Sequence, residues 1–430
     1  MKTLYIKDAL AMQEGEEVVL KGWIHKIYDL GHVNFIKLRD KTGIMQLVAS
    51  KEELDGLRNE MSVEASGILS KNEKAPGGIE VQLKEIKVLG KAYYDKLPFD
   101  INGRKINAAL EVQLDHRNMS LRAPRIMAVF KVQEEICECF RAYLRENKFT
   151  EIHTPKILAS GTEGGSELFT VNYFDHRAFL AQSPQFYKQM MVGVGFEKVF
   201  EVGHAYRAEL HNTYRHLNEY VSLDAEMGFI EDETEIMDLE EGFMNYLFKH
   251  LKANCKRELE MYGIELPDEV KIPRIPLSEA QEIVYKEYGK RSPKGDLNAE
   301  GERLFSEYVK RTYGSDFVYL TKYPASKRPM YTMPDPEIEG ATKSFDLIYK
   351  GLEITTGGQR IHDYRMLVEN IKKKGFKAEE FEFYTENFKF GMPPHGGFAI
   401  GLERMTMQIL GLENIREASL LPRDMKRITP

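Results

Sequence analysis

At 430 residues the chain is too long for one compact core, so two or three domains are expected. A hydrophobic fraction of 42% with 30% charged residues is ordinary for a globular protein. The apolar runs fall short of the roughly eighteen residues of a membrane span, and Met1 to Leu10 lacks a signal-peptide core, which predicts a cytoplasmic protein. A net charge of −7 excludes a generic nucleic-acid coat, and three cysteines exclude a disulfide framework.

Residues 1–105 are nearly neutral, with 17 basic against 16 acidic side chains, so the acidic excess lies in the remainder. Glu17 to His25, Val33 to Asp40, Ile44 to Ala49, Ser62 to Leu69 and Ile79 to Leu89 are strand-like runs. Turn signals at Asp29-Leu-Gly31, Asp40-Lys-Thr-Gly43 and Ala75-Pro-Gly-Gly78 separate them. Five short strands suit a small β-barrel of the OB type, a fold that often stacks single-stranded bases on aromatics beside basic residues. Trp23, Phe35 and Lys37 are candidates for such a face, although residue type alone favours core for Trp23 and Phe35.

Residues 90–125 are irregular and polar, with a hinge at 106–124. Apolar residues at helical spacing predict a helix over Arg125 to Asn147. It leads into a strand, Phe149 to Pro155, and the pair would form either a dimer seam or ordinary core. On that helix Cys137-Glu-Cys139 reads as reduced and buried rather than as a metal motif. The turn Thr162 to Phe169 carries Glu163 and Glu167; it lacks a phosphate loop's Gly-Lys-Ser/Thr ending and suits an ammonium or hydroxyl ligand, or is a plain surface turn. After Ser183-Pro184, a helix start places Gln185, Phe186, Tyr187 and Lys188 where anions bind, though a lysine there is usually solvated.

Phe200 to Phe229 reads as an antiparallel hairpin with a long polar loop bearing His211, Asn212, Arg215 and His216. Arg207 ends its first strand. In its second strand Val221, Leu223, Met227 and Phe229 alternate with Ser222, Asp224 and Glu226, which predicts one buried and one polar face. Two arginine forks beside carboxylates suit a phosphate-bearing ligand or a surface laced with ion pairs. Residues 230–350 read as helices Glu231 to Cys255 and Gly301 to Tyr313, with an insertion at roughly 255–315.

Ser344 to Tyr349 and Leu352 to Thr356 form a second hairpin, with Asp346 and Glu353 on one face and the Thr355 and Thr356 hydroxyls following: an all-oxygen site suited to Mg²⁺. Gln359-Arg360 follows a Gly357-Gly358 turn. Gly391 to Gly397 then leads through Phe398 to Arg404 into an apolar helix over Met405 to Leu412. Three arginines, a carboxylate pair and glycine-rich strands describe a nucleotide held on an antiparallel sheet, without a Walker or Rossmann motif.

These residues resemble the class II aminoacyl-tRNA synthetases of subclass b, most closely the archaeal-type aspartyl branch, over essentially the whole chain. The first class motif resembles Phe149 to Pro155, the second Phe200-Glu201 with Arg207-Ala208-Glu209 and Arg215-His216-Leu217, and the third Gly401-Leu402-Glu403-Arg404. The resemblance implies an α+β fold: an OB-type anticodon-binding barrel, then a catalytic domain (125–430) whose antiparallel sheet is flanked by helices, assembled as a homodimer. It implies ATP-dependent activation of L-aspartate with Mg²⁺ and transfer to tRNA(Asp). Arg207 would stabilise charge at the α-phosphate, with Arg404 as its catalytic partner. Ala208, Glu209, Arg215, His216, Leu217, Glu353 and the Gly401–Arg404 stretch would hold ATP. Glu167, Gln185, Phe186, Tyr187, Lys188, Arg207, Thr356 and Arg360 would surround aspartate, with Lys188 and Arg360 on its side-chain carboxylate. Asp346, Glu353 and Thr356 would carry the metal.

The resemblance also moves Phe35 toward base stacking. His25 and Pro76 match the relaxed pattern in which tRNA(Asn) is aspartylated too, implying a link to an Asp-tRNA(Asn) amidotransferase. A strictly discriminating enzyme, an asparaginyl-tRNA synthetase, an asparagine synthetase on the same fold and a non-catalytic paralogue are the alternatives. Most relatives carry serine at 356 and proline at 204, where this chain has threonine and histidine.

Overall fold

The computed structural model describes residues 4–31, 34–94, 96–103, 105–161, 167–210 and 213–430. Val33, Glu163, His211 and Asn212 lie outside the described residues. The chain divides into two compact units, residues 1–110 and 111–430.

In the first unit, β1 (Glu17–Asp29), β2 (Asn34–Arg39), β3 (Ile44–Ala49), β4 (Ser62–Lys71) and β5 (Ile79–Gly90) close a barrel in the order β1-β2-β3-β5-β4. Alternation drives the closure: along β4 Val63, Ala65 and Leu69 point inward to meet Leu20, Ile36, Leu47 and Val81. Gly67 lets strands approach, since a Cβ there would lie 2.2 Å from the Gln82 carbonyl oxygen. β1 runs beyond its predicted end, with a bulge between Ile24 and Lys26 that displaces His25. Trp23 is 42% exposed and Phe35 half-buried, so neither is core.

In the second unit β6 (Thr150–Glu151) is shorter than the predicted Phe149–Pro155 strand. β7 (Ile157–Leu158), β8 (Thr170–Tyr173) and β9 (His176–Leu180) form a small sheet in the order β7-β9-β8. The main sheet adds β10 (Lys198–Tyr206), β11 (Glu219–Gly228), β12 (Arg274–Pro276), β13 (Phe317–Thr321), β14 (Ser344–Tyr349), β15 (Leu352–Arg360) and β16 (His395–Gly401). Its eight strands run β12-β13-β14-β15-β16-β11-β10-β6, antiparallel except where β12 meets β13 and β10 meets β6.

Two long helices, Pro124–Glu146 and Thr234–Asn254, cover one face of this sheet. Phe140 sets its edge against Phe200, Phe243 and Phe398, at 5.9, 5.3 and 6.3 Å between ring centroids. Leu223, Ala225, Phe345, Leu347 and Ile400 complete that core. The 255–315 stretch is more than a helical insertion. It supplies β12 to the main sheet and the Leu277–Tyr288 and Ala299–Tyr313 helices, which pack a separate core with Val318, Leu320 and Ile348. Among the described residues no helix is long and apolar enough to cross a membrane.

Two local expectations fail. Gly357 and Gly358 are not a turn, because β15 continues through them to Arg360. A Cβ at Gly357 would meet the Phe345 ring at 2.4 Å, and one at Gly358 the Lys343 carbonyl oxygen at 2.6 Å, so the glycines serve close packing. The polar face of β11 is not solvated: Ser222, Asp224 and Glu226 are as buried as Leu223 and Ala225, while Phe229 lies beyond the strand, 70% exposed with φ of 60°.

Candidate active site

The site occupies the sheet face opposite the two long helices. Its floor is an ionic cluster. Lys188, in the first turn of the Gln185–Met191 helix, is only 1% exposed. Its Nζ lies 3.0 Å from Asp224 Oδ1 and 3.3 Å from Glu226 Oε2, and it donates to the Phe398 carbonyl at 3.3 Å. The usual solvated lysine of a helix start is therefore excluded here. Arg360 donates through Nε to Glu226 Oε1 at 2.9 Å and through Nη2 to the Gly397 carbonyl at 2.9 Å. Burial alone would raise the Glu226 carboxyl, but Arg360 and Lys188 outweigh it and hold it below the carboxylate range. Ser222 donates to Asp224 Oδ2 at 2.6 Å. His395 is buried beside this cluster, and desolvation lowers its pKa to about 4, so it is neutral. Two cations thus face two carboxylates in a buried cluster. Alternation with Leu223 put Asp224 and Glu226 on a polar face beside the arginines, but their pairing with Lys188 and Arg360 depends on neighbours distant in sequence.

The other residues expected around an amino acid divide. Gln185 is buried with its Nε2 unpartnered, a donor suited to a ligand. Glu167 is exposed, adopts φ of 60°, and its carbonyl accepts from the Ala208 N–H at 2.8 Å, tying that turn to the end of β10. Tyr187 is half-buried, and burial raises its hydroxyl pKa. Phe186 belongs elsewhere: it stacks on Tyr384 at 4.4 Å inside an apolar cluster.

A cavity of about 110 Å³ opens next to the cluster, lined among others by Arg207, Glu209, Arg215, His216, Thr356, Gly401 and Arg404. Arg215 Nη1 lies 3.1 Å from Glu302 Oε2, and Arg207 Nη1 and His216 Nε2 lie 3.9 and 3.6 Å from Glu209. Arg404 donates to the Glu353 carbonyl at 3.1 Å. The cavity is below the roughly 300–1,000 Å³ of a ligand pocket, and its cations lie against protein carboxylates and a carbonyl. Burial and the neighbouring Glu353 carboxylate raise the Glu302 pKa to about 7, and nothing near Glu302 in the sequence marked it. Leu217 packs with Leu352, Met407 and Ile415. Leu402 is core, and Glu403 accepts from the Val221 N–H at 3.1 and 3.2 Å. Burial raises Glu403 to about 8, and its carboxyl joins helix to strand at the lining of the cavity.

Asp346 sits opposite Thr356 across β14 and β15, and a bulge in β15 brings Glu353 onto the same face. Thr356 Oγ1 donates to Glu353 Oε1 at 3.0 Å. Thr355 is buried on the other face and leaves the set. Burial and the Glu353 charge raise the Asp346 carboxyl against the pull of Arg328, which lies 2.8 Å away and is stacked on Tyr323. Two mutually repelling carboxylates and a hydroxyl suit a hard divalent cation.

In the first unit, Phe35 stacks on its cross-strand partner Tyr28 at 4.5 Å, with Lys26 and Lys37 5.4 and 5.3 Å from the Tyr28 ring centroid. Paired aromatics beside lysines have the chemistry on which unstacked bases can stack. His25 is 4% exposed, and its Nδ1 accepts from Arg39 Nη1 at 2.8 Å while Arg39 pairs with Glu60 at 2.9 Å. Burial and Arg39 lower its pKa to about 4. Pro76 is half-buried in the turn between β4 and β5.

Residues 109–425 match the family described as tRNA synthetases class II (D, K and N), and residues 18–89 match the OB-fold nucleic acid binding domain. The chain belongs to the class II tRNA synthetases. It is 48% identical to the aspartate–tRNA(Asp/Asn) ligase of Deinococcus radiodurans, over 98% of this chain and 97% of that one. It is 46% identical to the enzyme of the same name from Aeropyrum pernix, and 43% identical to the aspartate–tRNA(Asp) ligase of Pyrococcus abyssi, each over all of both chains. Among solved structures, asparaginyl-tRNA synthetase from Pyrococcus horikoshii complexed with asparaginyl-adenylate is similar over both full lengths, with a TM-score of 0.93 and 31% identity. A putative aspartyl-tRNA synthetase from Leishmania major has a TM-score of 0.88 and 31% identity, covering 97% of this chain and 92% of that one.

Proposed function

We infer that the chain activates L-aspartate with ATP and transfers it to tRNA, acting in the cytoplasm as an aspartate–tRNA ligase. The observation that carries this reading is the buried Lys188–Asp224–Glu226–Arg360 cluster. Its two fixed cations recognise a side-chain carboxylate, whereas the neutral amide of asparagine would leave them unmatched, at a cost of about 3–5 kcal/mol. Gln185 and Glu167 hold the ammonium end.

The aspartate α-carboxylate attacks the α-phosphorus of ATP, the bond to pyrophosphate breaks, and the terminal ribose hydroxyl of tRNA then displaces AMP. Arg207 meets the charge developing on the α-phosphate; Arg215, His216 and Arg404 exchange their present carboxylate partners for the triphosphate. Asp346, Glu353 and Thr356 fit Mg²⁺, which would neutralise phosphate charge. No side chain need act as nucleophile or base, so the rate rests on positioning and preorganised charge. A homodimer joined through Phe149 to Pro155 and the preceding helix is part of this reading.

The tRNA range is the finer proposal: both tRNA(Asp) and tRNA(Asn) are aspartylated, and an amidotransferase converts the second product. It is supported by His25 and Pro76, and by relatives at 46–48% identity that are named for both tRNAs. Aspartate-dependent ATP–pyrophosphate exchange tests the activation step. Exchange with aspartate and not with asparagine is expected; exchange with asparagine alone would overturn it.

A further inference from the structure

On the helix-covered side of the sheet, away from the synthetase site, the Pro124–Glu146 and Thr234–Asn254 helices pack against each other. Glu135 and Cys139 stand one turn apart on the first and face His250 on the second, with one ligand atom from each all within 4.8 Å of one another. Cys139 is buried, while Glu135 and His250 are half-buried, so within one chain the cluster is open on one side. Cys137, two residues away, points to another helix face and is not part of it.

We infer that Glu135, Cys139 and His250 form a binding site for a thiophilic divalent cation, Zn²⁺ foremost, with water in the fourth position. A thiol, an imidazole and a carboxylate are a set that selects zinc over magnesium or calcium. Zinc bonds of about 2.0–2.3 Å separate tetrahedral ligand atoms by roughly 3.3–3.8 Å. The present spread therefore needs a contraction of about one ångström, within reach of side-chain rotation. Supporting contacts already orient the ligands: Asn254 Nδ2 donates to Glu135 Oε1 at 2.6 Å, and the His250 ring stacks on Tyr246 at 4.3 Å. Cys139 Sγ lies 3.6 Å from Glu135 Oε1. Burial pushes the Cys139 thiol up, so binding exchanges its S–H for an S–metal bond and releases one proton to water. Cys255, at the end of the second helix, interacts electrostatically with Cys139 and Glu135.

The test uses the full chain, reduced and stripped with a chelator, then titrated with Co²⁺. The expected result is a thiolate-to-cobalt charge-transfer band with strong tetrahedral visible bands, saturating at one ion per chain and bleached by Zn²⁺. The carboxylate pair Asp346 and Glu353 has no sulfur and cannot produce that band. Cys139→Ser abolishes it and His250→Gln weakens it at least tenfold in affinity, whereas Cys137→Ser leaves it intact. His250 is partly exposed, so its variant keeps the test usable if Cys139→Ser does not fold. A folded, reduced protein without the band, or a band surviving Cys139→Ser, would overturn the assignment.

Discussion

Replacing Lys188 with methionine removes one of two buried cations and keeps the length of the side chain. Nζ lies 3.0 Å from Asp224 and 3.3 Å from Glu226, so the variant leaves two carboxylates opposed by Arg360 alone. The substrate's carboxylate then enters a pocket one unit more negative. One charge pair at about 5 Å in an effective dielectric of about 20 is worth about 3 kcal/mol. That corresponds to roughly a hundredfold loss in kcat/KM for aspartate. Asparagine, uncharged at that end, escapes this penalty, so selectivity for aspartate falls by a similar factor. The assay is ATP–pyrophosphate exchange against each amino acid, with a thermal melt alongside, because breaking a buried pair also destabilises by about 3–5 kcal/mol. A folded variant whose aspartate kcat/KM stays within about threefold of the parent, or that loses both substrates equally, refutes the argument.

Arg207→Ala should cut kcat for exchange by about 10²–10³, the size of a lost preorganised donor, and an unchanged kcat would remove Arg207 from the α-phosphate. Asp346→Asn should raise the Mg²⁺ concentration for half-maximal exchange about tenfold or more, read from a metal titration; no shift would separate this carboxylate from the metal. Glu240 lies wholly buried beneath the sheet, accepting from the Tyr319 hydroxyl at 3.1 Å, and burial raises its pKa to about 8. Its folded pKa lies above the unfolded value, so its contribution is full below pH 4.5 and is lost as pH rises toward 8. Glu240→Gln should therefore gain on the parent in denaturation midpoint across that window, by a few kcal/mol on the order expected for such a shift; parallel stability curves would contradict it. His25→Trp with Pro76→Lys should lower charging of tRNA(Asn) at least tenfold while sparing tRNA(Asp), measured by aspartylation of each transcript.

Much of this was legible where a local rule sufficed. Alternation located the barrel strands and β11, and the Arg207, Arg215 and Arg404 set was readable from residue chemistry. What escaped was decided by long-range neighbours. The burial of Lys188 depends on β11 and β16 lying beneath its helix start, which no local spacing reveals. Gly357-Gly358 carries a turn signal, yet Phe345 and Lys343 pack where side chains would stand. Glu302 and Arg328 enter the site from a stretch that read as peripheral, and their partners, Arg215 and Asp346, lie 87 and 18 residues away in sequence. Trp23 shows the reverse error: an aromatic that composition assigns to the core is exposed on the barrel surface.

The most direct measurement is aspartylation of purified tRNA(Asp) and tRNA(Asn) transcripts side by side, with ATP and Mg²⁺. Aspartate esterified to both is the predicted result. Charging of tRNA(Asp) alone would retire the roles given to His25 and Pro76, and charging of neither would contradict the account at its centre.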